Sequence, residues 1–253
     1  MIAFFVFIFG LAVGSFLNVV IFRLGQKKSF FQGRSFCPHC RQTIAWYDNI
    51  PLVSFAILGG RCRRCRKKIF WQYPLVELAT AVIFIWFYFL FGLSLQFLVL
   101  VIFSCFLLVI FVYDLKHYLI LDAVTVPAMI FAFLANFCLG FGFWNLILAG
   151  AIGSGFFGLQ FFLSRGRWVG GGDIRLGALM GLMLGWKFLL VALFLAYLIG
   201  SIFGLTLIAL KRKKMSSAVP FGPFLAAAAF ITFVYGQALL SWYLNLIYPA
   251  PLF

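Results

Sequence analysis

The chain has 253 residues, of which 65% are hydrophobic and only 10% are charged. Soluble domains contain about 45–50% apolar and about 25% charged residues, so this composition excludes a soluble globular enzyme. It also excludes a disordered chain, which would need low hydrophobicity. The 20 Lys and Arg residues outnumber the 5 Asp and Glu residues. In a membrane protein such an excess marks cytosolic loops, and we favour that interpretation over nucleic-acid binding.

The apolar segments predict an all-α polytopic membrane protein with about eight transmembrane helices. A spanning helix needs about 20 apolar residues. The predicted spans cover residues 1–22, 74–91, 94–113, 120–139, 144–163, 174–186, 188–210 and 221–247. The first span lacks a basic segment before it and a small-residue cleavage site after it, which predicts an anchor helix and not a removed signal peptide. The sixth is short and contains Gly177, Gly181 and Gly185, which predicts close backbone contacts or a re-entrant segment.

The basic residues support this order of spans. If residues 23–73 lie in the cytosol and the spans alternate, every Lys and Arg except Lys187 falls on the cytosolic side. The positive-inside rule expects such a bias, and it makes the run Lys211–Lys214 a topology anchor. Both termini are then expected outside the cytosol. The five acidic residues, Asp48, Glu77, Asp114, Asp122 and Asp173, fall at or near the cytosolic side, so we expect their chemistry to face it.

The polar segment predicts a small domain between the first two spans. The domains are then transmembrane helix 1 (1–22), a cytosolic four-cysteine zinc-binding domain resembling a zinc ribbon (23–73) and a seven-helix membrane domain (74–253). The metal ligands are the C-x-x-C pairs Cys37, Cys40 and Cys62, Cys65. Two such pairs close a tetrahedron around zinc and leave no open position for water, so the zinc is predicted to be structural. Redox-active pairs or free thiols are the alternative. Cys105 and Cys138 lie in apolar runs and are expected in the core.

Two acidic side chains stand where spans meet the cytosol. Asp114 ends the third span, and Asp173 follows Gly170, Gly171 and Gly172 at the start of the sixth. Ionisable groups in spans are costly, so each is a functional hypothesis by default. Two neighbouring carboxyl groups can share one proton, so that one activates water while the other hydrogen-bonds a scissile carbonyl. The pattern predicts peptide hydrolysis, with the glycines admitting an extended substrate backbone.

Structural roles for these acids are also open. Asp173 suits a helix N-cap, and Asp114 can extend towards water beside Lys116. Asp122 is at a position typical of an N-cap, at the start of the fourth span. Glu77 is at a position typical of an acid in the first turn of a helix, here the second span. Two other functional classes compete with hydrolysis: a proton-coupled transporter that uses intramembrane acids, and a membrane thiol oxidoreductase.

Seven motifs, with the two Cys pairs counted as one, resemble those of the bacterial type IV prepilin peptidase family, also called prepilin leader peptidase/N-methyltransferase. They are Gly14-Ser-Phe-Leu-Asn-Val-Val-Ile-Phe-Arg23, the two Cys pairs, Trp46-Tyr-Asp-Asn-Ile-Pro-Leu52, Tyr73-Pro-Leu-Val-Glu77, the Asp114 segment, Gly170-Gly-Gly-Asp173 and Val219-Pro-Phe-Gly-Pro223. The resemblance covers nearly the whole chain. One departure is Leu121-Asp122, where the family usually has Pro-Asp, so the local helix start is expected to differ.

The resemblance implies a GxGD-type aspartic protease whose catalytic pair is Asp114 and Asp173, supported by the loop of Gly170, Gly171 and Gly172. It implies prepilin or pseudopilin substrates, whose apolar N-terminal helices lie in the lipid bilayer and whose leaders are cleaved at the cytosolic face of the bacterial inner membrane. It also implies methylation of the new N-terminus from S-adenosylmethionine.

The sequence contains no Gly-rich cofactor fingerprint. The zinc domain and Glu77 are candidates for cofactor binding by position alone, and a bracing or substrate-gripping role for residues 23–73 is the alternative. The oligomeric state and the choice among pilus, secretion and DNA-uptake roles stay open.

Overall fold

The computed structural model describes residues 1–26, 33–211 and 219–247. Over these residues the chain is helical, and strand pairing is limited to two isolated bridges. The helices are α1 (Ile2–Leu24), α2 (Val53–Ile57), α3 (Gln72–Phe91), α4 (Leu95–His117), α5 (Asp122–Cys138), α6 (Phe143–Ser164), α7 (Gly171–Ala209) and α8 (Gly222–Ile247), with a 3-10 turn at Trp46–Asn49. The predicted all-α fold, with an irregular segment between the first two long helices, is confirmed.

Six helices in the described part of the chain, α1, α3, α4, α6, α7 and α8, are long and apolar enough to cross a membrane. Helix α5 is apolar but shorter. Because α7 has 39 residues and breaks at Gly185, it supplies two of the eight predicted segments, and all eight are helical. Large side chains such as Phe89 and Phe162 are exposed on the helices, as expected where helices are apolar all round and face lipid. This is the architecture of a multi-pass membrane protein.

Two compact units divide the chain, Met1–Val109 and Ile110–Phe253, and the boundary falls inside α4. In the first unit α1 packs along α3. A Cβ atom added to Gly10 would lie 2.6 Å from the Cα of Ala81, and one added to Gly14 would lie 2.7 Å from the Cα of Glu77. Small residues at this spacing let helix backbones approach closely within a membrane.

In the second unit α7 packs against α5, α6 and α8. Its crossing with α6 brings backbone against backbone. A Cβ atom on Gly177 would lie 2.5 Å from the carbonyl oxygen of Gly153, and one on Gly181 would lie 2.1 Å from that of Ala149. The close backbone contacts predicted for Gly177 and Gly181 are therefore confirmed.

Gly185 ends the first half of α7. Its φ of 74° lies in the left-handed region, which glycine adopts readily. A helix break frees backbone carbonyls, and within a bilayer these need other donors. The buried Asn136 of α5 supplies them, because its Nδ2 donates to the carbonyl oxygens of Leu182 at 2.6 Å and Met183 at 3.0 Å.

The two cysteines outside the pairs differ in burial. Cys105 is half-buried in α4, whereas Cys138 is exposed at the end of α5. The prediction of core packing is therefore wrong for Cys138. In a chain whose helices are apolar on every side, an apolar sequence context does not indicate burial within the protein. Of the predicted topology anchor, residues 212–214 lie outside the described residues.

Candidate active site and metal centre

The two Cys pairs form knuckles of the same backbone geometry. In each, the N–H of the first Cys donates to the carbonyl of the residue five positions later, and the N–H of the residue four positions later donates to the carbonyl of that Cys. The arginines that follow the second Cys, Arg41 and Arg66, both have a φ of 57°. This left-handed conformation turns each loop back on itself.

The four Cys sulfur atoms of the two knuckles lie within 4.8 Å of one another. The Sγ atoms of Cys37 and Cys65, from different knuckles, are 3.9 Å apart. Tetrahedral zinc with Zn–S bonds of about 2.3 Å needs sulfurs about 3.8 Å apart. All four cysteines are free, as the thiolate ligands of a metal must be, and none forms a disulfide. The predicted cluster is confirmed, and these residues could hold a metal ion.

The thiols of the cluster do not share one environment. Burial raises the pKa of Cys37 to about 11. Backbone hydrogen bonds lower the pKa of Cys62 to about 7, and the largest contribution comes from the backbone of Cys65. Since the thiolate is the metal ligand, Cys62 is the first of these two to ionise. A bound divalent cation would supply the positive charge that allows the Cys37 thiol to lose its proton as well.

An ion pair joins the 3-10 turn to the second knuckle. Arg63 Nη2 lies 2.6 Å from Asp48 Oδ1, and Arg63 Nε lies 2.8 Å from Asp48 Oδ2. The guanidinium also stands over the Tyr47 ring, 5.5 Å from its centroid. Hydrogen bonds from Arg63 hold the pKa of Asp48 below its usual value. The pair therefore fixes the segment between the knuckles to the cluster.

Asp114, the first predicted catalytic residue, lies in the last turns of α4 with only 4% of its surface exposed. Its Oδ2 accepts a hydrogen bond of 3.0 Å from the N–H of Gly222, the first residue of α8. A Cβ atom on Gly222 would lie 2.6 Å from that oxygen, so a side chain there would displace the Asp114 carboxyl group. The alternative in which Asp114 reaches towards water is wrong, because the carboxyl group is buried against the start of α8.

Asp173, the second predicted catalytic residue, is the third residue of α7 and is 8% exposed. Its Oδ2 accepts a hydrogen bond of 2.8 Å from the N–H of Gly170. An acid at this position stabilises a helix start. The N-cap itself is Gly170, so the assignment of Asp173 as N-cap is wrong, although its side chain does satisfy a backbone donor there.

Both carboxyl groups belong to the second unit, and Asp114 is close enough for its charge to act on Asp173. Each uses Oδ2 to accept one glycine N–H. Within the described residues neither has another hydrogen-bond donor, which leaves each Oδ1 for substrate or water. Two buried acids so placed can hold one proton between them and exchange the roles of acid and base.

The three glycines before Asp173 are not equivalent. A Cβ atom on Gly172 would lie 2.8 Å from the Cβ of Ile120, whereas one on Gly171 would meet nothing within 4 Å. Gly172 therefore lets the start of α7 pack against the segment before α5. Access of an extended substrate along this loop stays a prediction.

Asp122 has a different role from the one predicted. It is the first residue of α5, Leu121 occupies the N-cap, and no side chain caps the helix. The exposed Asp122 carboxylate instead pairs with Arg175 of α7. Leu121, the residue that departs from the family pattern, is thus the N-cap of α5, and Asp122 belongs to an ion pair with α7.

Glu77 is also placed differently from its prediction. Helix α3 begins at Gln72, so Glu77 is beyond the first turn, and it is 8% exposed. Pro74 does not mark the start of the helix because proline is tolerated within a first turn. Glu77 Oε2 accepts a hydrogen bond of 2.9 Å from the N–H of Leu52.

Gly222 was not among the predicted site residues. It lies in the Val219–Pro223 motif. The only feature of the sequence that could have indicated its role is that it is a glycine just before Pro223 at a helix start. Its function as a backbone donor to Asp114 depends on contact between helices that are distant in sequence. A side-chain pattern cannot reveal a backbone donor.

Two family descriptions match the chain in consecutive regions. Residues 8–91 match the Bacterial Peptidase A24 N-terminal domain, and residues 101–205 match the Type IV leader peptidase family. The first region contains all four clustered cysteines, and the second contains both Asp114 and Asp173. No solved structure matches the chain.

Similar proteins extend the match to nearly the full length. A prepilin leader peptidase/N-methyltransferase of Legionella pneumophila is 31% identical over 94% of this chain and 93% of its own length. A protein of the same name from Bacillus subtilis (strain 168) is 33% identical over 95% of this chain and 97% of its own length. Another from Aeromonas hydrophila is 35% identical over 95% of this chain and 93% of its own length. None of these three names describes a transporter. Identity of this extent, over both the cysteine cluster and the paired aspartates, shows that the chain belongs to the type IV leader peptidase family.

Proposed function

We propose that this protein is a membrane aspartic endopeptidase that removes the leader peptides of prepilin-like substrates, with Asp114 and Asp173 as its catalytic pair. The observation that carries the proposal is that two carboxyl groups of the second unit are both buried, and each accepts a hydrogen bond from a glycine N–H at the start of a helix. Both belong to the region that matches the leader peptidase family. The names of the relatives support leader removal as the reaction.

In the proposed mechanism the ionised carboxylate takes a proton from water as the water oxygen attacks the scissile carbonyl carbon. The protonated carboxyl group donates its hydrogen bond to the carbonyl oxygen. The C–N bond then breaks, and the leaving nitrogen receives a proton from the pair. The N–H groups of Gly222 and Gly170 fix the two Oδ2 atoms, which keeps the Oδ1 atoms aligned for these transfers. The two acids titrate as one system.

We propose that the cysteine cluster binds a structural zinc ion through Cys37, Cys40, Cys62 and Cys65. The sulfur spacing and the matched knuckles support zinc. Its contribution is a cross-link between two loops that have few buried apolar side chains of their own. Four sulfur ligands complete the coordination, so the metal takes no part in peptide hydrolysis.

The location and the second activity are part of the same proposal. We place the protein in the bacterial inner membrane with the aspartate pair at the cytosolic face, because the basic loops concentrate on that side. We assign the chain methylation of the new N-terminus from S-adenosylmethionine, which the relatives' names support. The division into residues 1–22, 23–73 and 74–253 assigns peptide hydrolysis to the last part.

One incubation tests both activities. The purified protein in detergent is mixed with a prepilin and methyl-labelled S-adenosylmethionine, and we expect a shortened product that carries the label. Asp114→Ala and Asp173→Ala should leave the prepilin uncut. Asp122→Asn is the matched control, because it removes an exposed carboxylate of the same unit and should cut normally. Full cleavage by either Ala variant would refute the assignment of the catalytic pair. A prepilin left uncut by the wild-type protein would refute the peptidase function.

A further inference from the structure

Tyr197 lies in the second half of α7, beyond the break at Gly185. A straight helix would separate Tyr197 from Gly177 by about 30 Å. The two residues nevertheless reach neighbouring residues of α6. A Cβ atom on Gly177 would lie 2.5 Å from the Phe157 ring, and the ring centroids of Tyr197 and Phe156 are 5.8 Å apart. The second half of α7 therefore turns back and brings Tyr197 to the part of α6 that the first half of α7 contacts.

An aromatic cluster connects Tyr197 with the surroundings of both acids. Its ring centroid lies 5.0 Å from that of Phe221, the residue before the glycine whose N–H donates to Asp114. The ring of Phe221 also lies 6.2 Å from that of Phe157. Asp173 is close enough for its charge to act on the Tyr197 hydroxyl group. Tyr197 therefore stands beside the aspartate pair, within the same unit of the chain.

Tyr197 forms a polar pair with Gln160 of α6 at the exposed surface of the helices. The Tyr197 hydroxyl donates a hydrogen bond of 2.7 Å to Gln160 Oε1, and 38% of the tyrosine stays exposed. Gln160 Nε2 lies 3.4 Å from the carbonyl oxygen of Phe156, which is long for a hydrogen bond. Among the described residues the pair thus keeps an amide N–H to donate and a hydroxyl lone pair to accept. Within a membrane, polar groups of this kind are costly unless a partner satisfies them.

The substrate of a membrane peptidase has a matching need for partners. In an α-helix each carbonyl is engaged with an N–H four residues later, so an apolar helix must unwind before the bond at its end can be cut. Unwinding frees backbone N–H and C=O groups, and lipid offers them no replacement. A peptidase that cuts at the end of such a helix therefore has to supply donors and acceptors on the apolar side of the scissile bond.

We propose that Tyr197 and Gln160 bind the unwound backbone of the substrate on the apolar side of the scissile bond. This inference rests on the proposed peptidase function and identifies the part of the substrate that the site recognises. Gln160 Nε2 donates to a substrate carbonyl, and the Tyr197 oxygen accepts a substrate N–H. The rings of Phe156 and Phe221 contact the apolar side chains. Because the hydrogen bonds go to backbone, substrates with different apolar side chains after the scissile bond are all accepted.

Enzyme variants test the pair through the separation of KM from kcat. Tyr197→Phe removes the hydroxyl group and keeps the ring against Phe221. We expect KM for a prepilin to rise about 3- to 10-fold and kcat to stay within about twofold, because the hydrogen bond is made in the ground state and the transition state alike. Gln160→Met should do the same. Tyr243→Phe is the matched control, since Tyr243 is an exposed tyrosine towards the other end of α8. Unchanged KM in both site variants, or a loss of kcat alone, would overturn the proposal.

Modified substrates test the same contact from the other side. In synthetic prepilin peptides one backbone N–H is replaced by an ester oxygen, at the second, third or fourth residue after the scissile bond. Fluorescence anisotropy with the Asp114→Asn protein in detergent measures their binding without turnover. At one position the ester should weaken binding about 3- to 10-fold, and adding Tyr197→Phe should abolish that difference. Esters that all bind as the amide does, or equal losses with and without Tyr197→Phe, would refute backbone recognition by the pair.

The two proposals fail in different ways. A prepilin left uncut by the wild-type protein refutes the peptidase function, and the anisotropy measurement still tests the pair. Normal cleavage by the wild type together with an unchanged KM in Tyr197→Phe and Gln160→Met refutes the pair alone.

Discussion

The cysteine cluster and the aspartate pair are assembled in opposite ways. Each half of the cluster is one short turn, closed by hydrogen bonds among neighbouring residues. Asp114 and Asp173 stand on different long helices and are positioned by the starts of α7 and α8. The thiolates need a cation to hold them together, whereas the carboxylates must be kept together by packing. A metal can complete the first site, but the second exists only once the helices have packed.

The largest effect should follow loss of the metal. Structural zinc in small domains contributes about 10–16 kcal/mol of apparent binding free energy. In Cys62→Ser we expect metal content to fall from about one ion per chain to near zero and residues 33–70 to become sensitive to protease. Elemental analysis and limited proteolysis measure the two results. Cys105→Ser is the control, since this half-buried cysteine of α4 lies outside the cluster. Undiminished metal in Cys62→Ser would contradict four-sulfur ligation.

The next largest effect should be on catalysis and should not be additive. Asp114→Asn and Asp173→Asn should each lower kcat/KM at least about a thousandfold, and the double variant should be little worse, because residues that act as one unit fail together. Cleavage of a prepilin measures the rates, and metal content should stay at about one ion per chain. Losses that multiply in the double variant would show that the two acids act independently.

A third change acts on the support of one carboxylate. Gly222→Ala places a Cβ atom where it would lie 2.6 Å from Asp114 Oδ2, so the carboxyl group must move. Misplacement of a reacting group by about 1 Å can cost about a hundredfold in rate, and we expect a decrease in kcat of about 10- to 100-fold. Gly155→Ala is the matched control, because its added Cβ meets nothing within 4 Å in α6. Equal rates for both variants would exclude Gly222 as the support.

The features that could be predicted from the sequence are the local ones. The C-x-x-C spacing predicted the cluster because each knuckle closes within a few residues. The glycine-rich sixth segment predicted the close contacts of Gly177 and Gly181 because glycine leaves room wherever it stands. The apolar runs predicted the helices because length and composition determine which segments can span a bilayer. None of these inferences required knowledge of which helices are neighbours.

The features that were missed depend on contacts between distant segments. Asn136 satisfies the carbonyls at the break in α7, and nothing in α5 alone indicates that partner. Glu77 was expected near a helix start, but its burial results from the packing of α1 and its contact with Leu52. Asp122 was expected as a cap, yet Arg175 on another helix captures its carboxylate. Sequence patterns locate such groups along the chain but not their partners.

The smallest effect should come from the ion pair that ties the cysteine segment together. Because the pKa of Asp48 is lower in the folded protein, its ionised form favours the folded state. That contribution is complete above the unfolded pKa of about 3.9 and is lost as the pH falls through the lower folded value. We therefore expect Asp48→Asn to lower the thermal midpoint by at most about 4 °C, equally at every pH from 5.5 to 8. Arg63 is largely exposed, so 1 M salt should shrink the difference. Thermal unfolding of the metal-loaded wild type and variant measures it, and a difference that grows between pH 8 and 5.5 would assign the effect to a group other than Asp48.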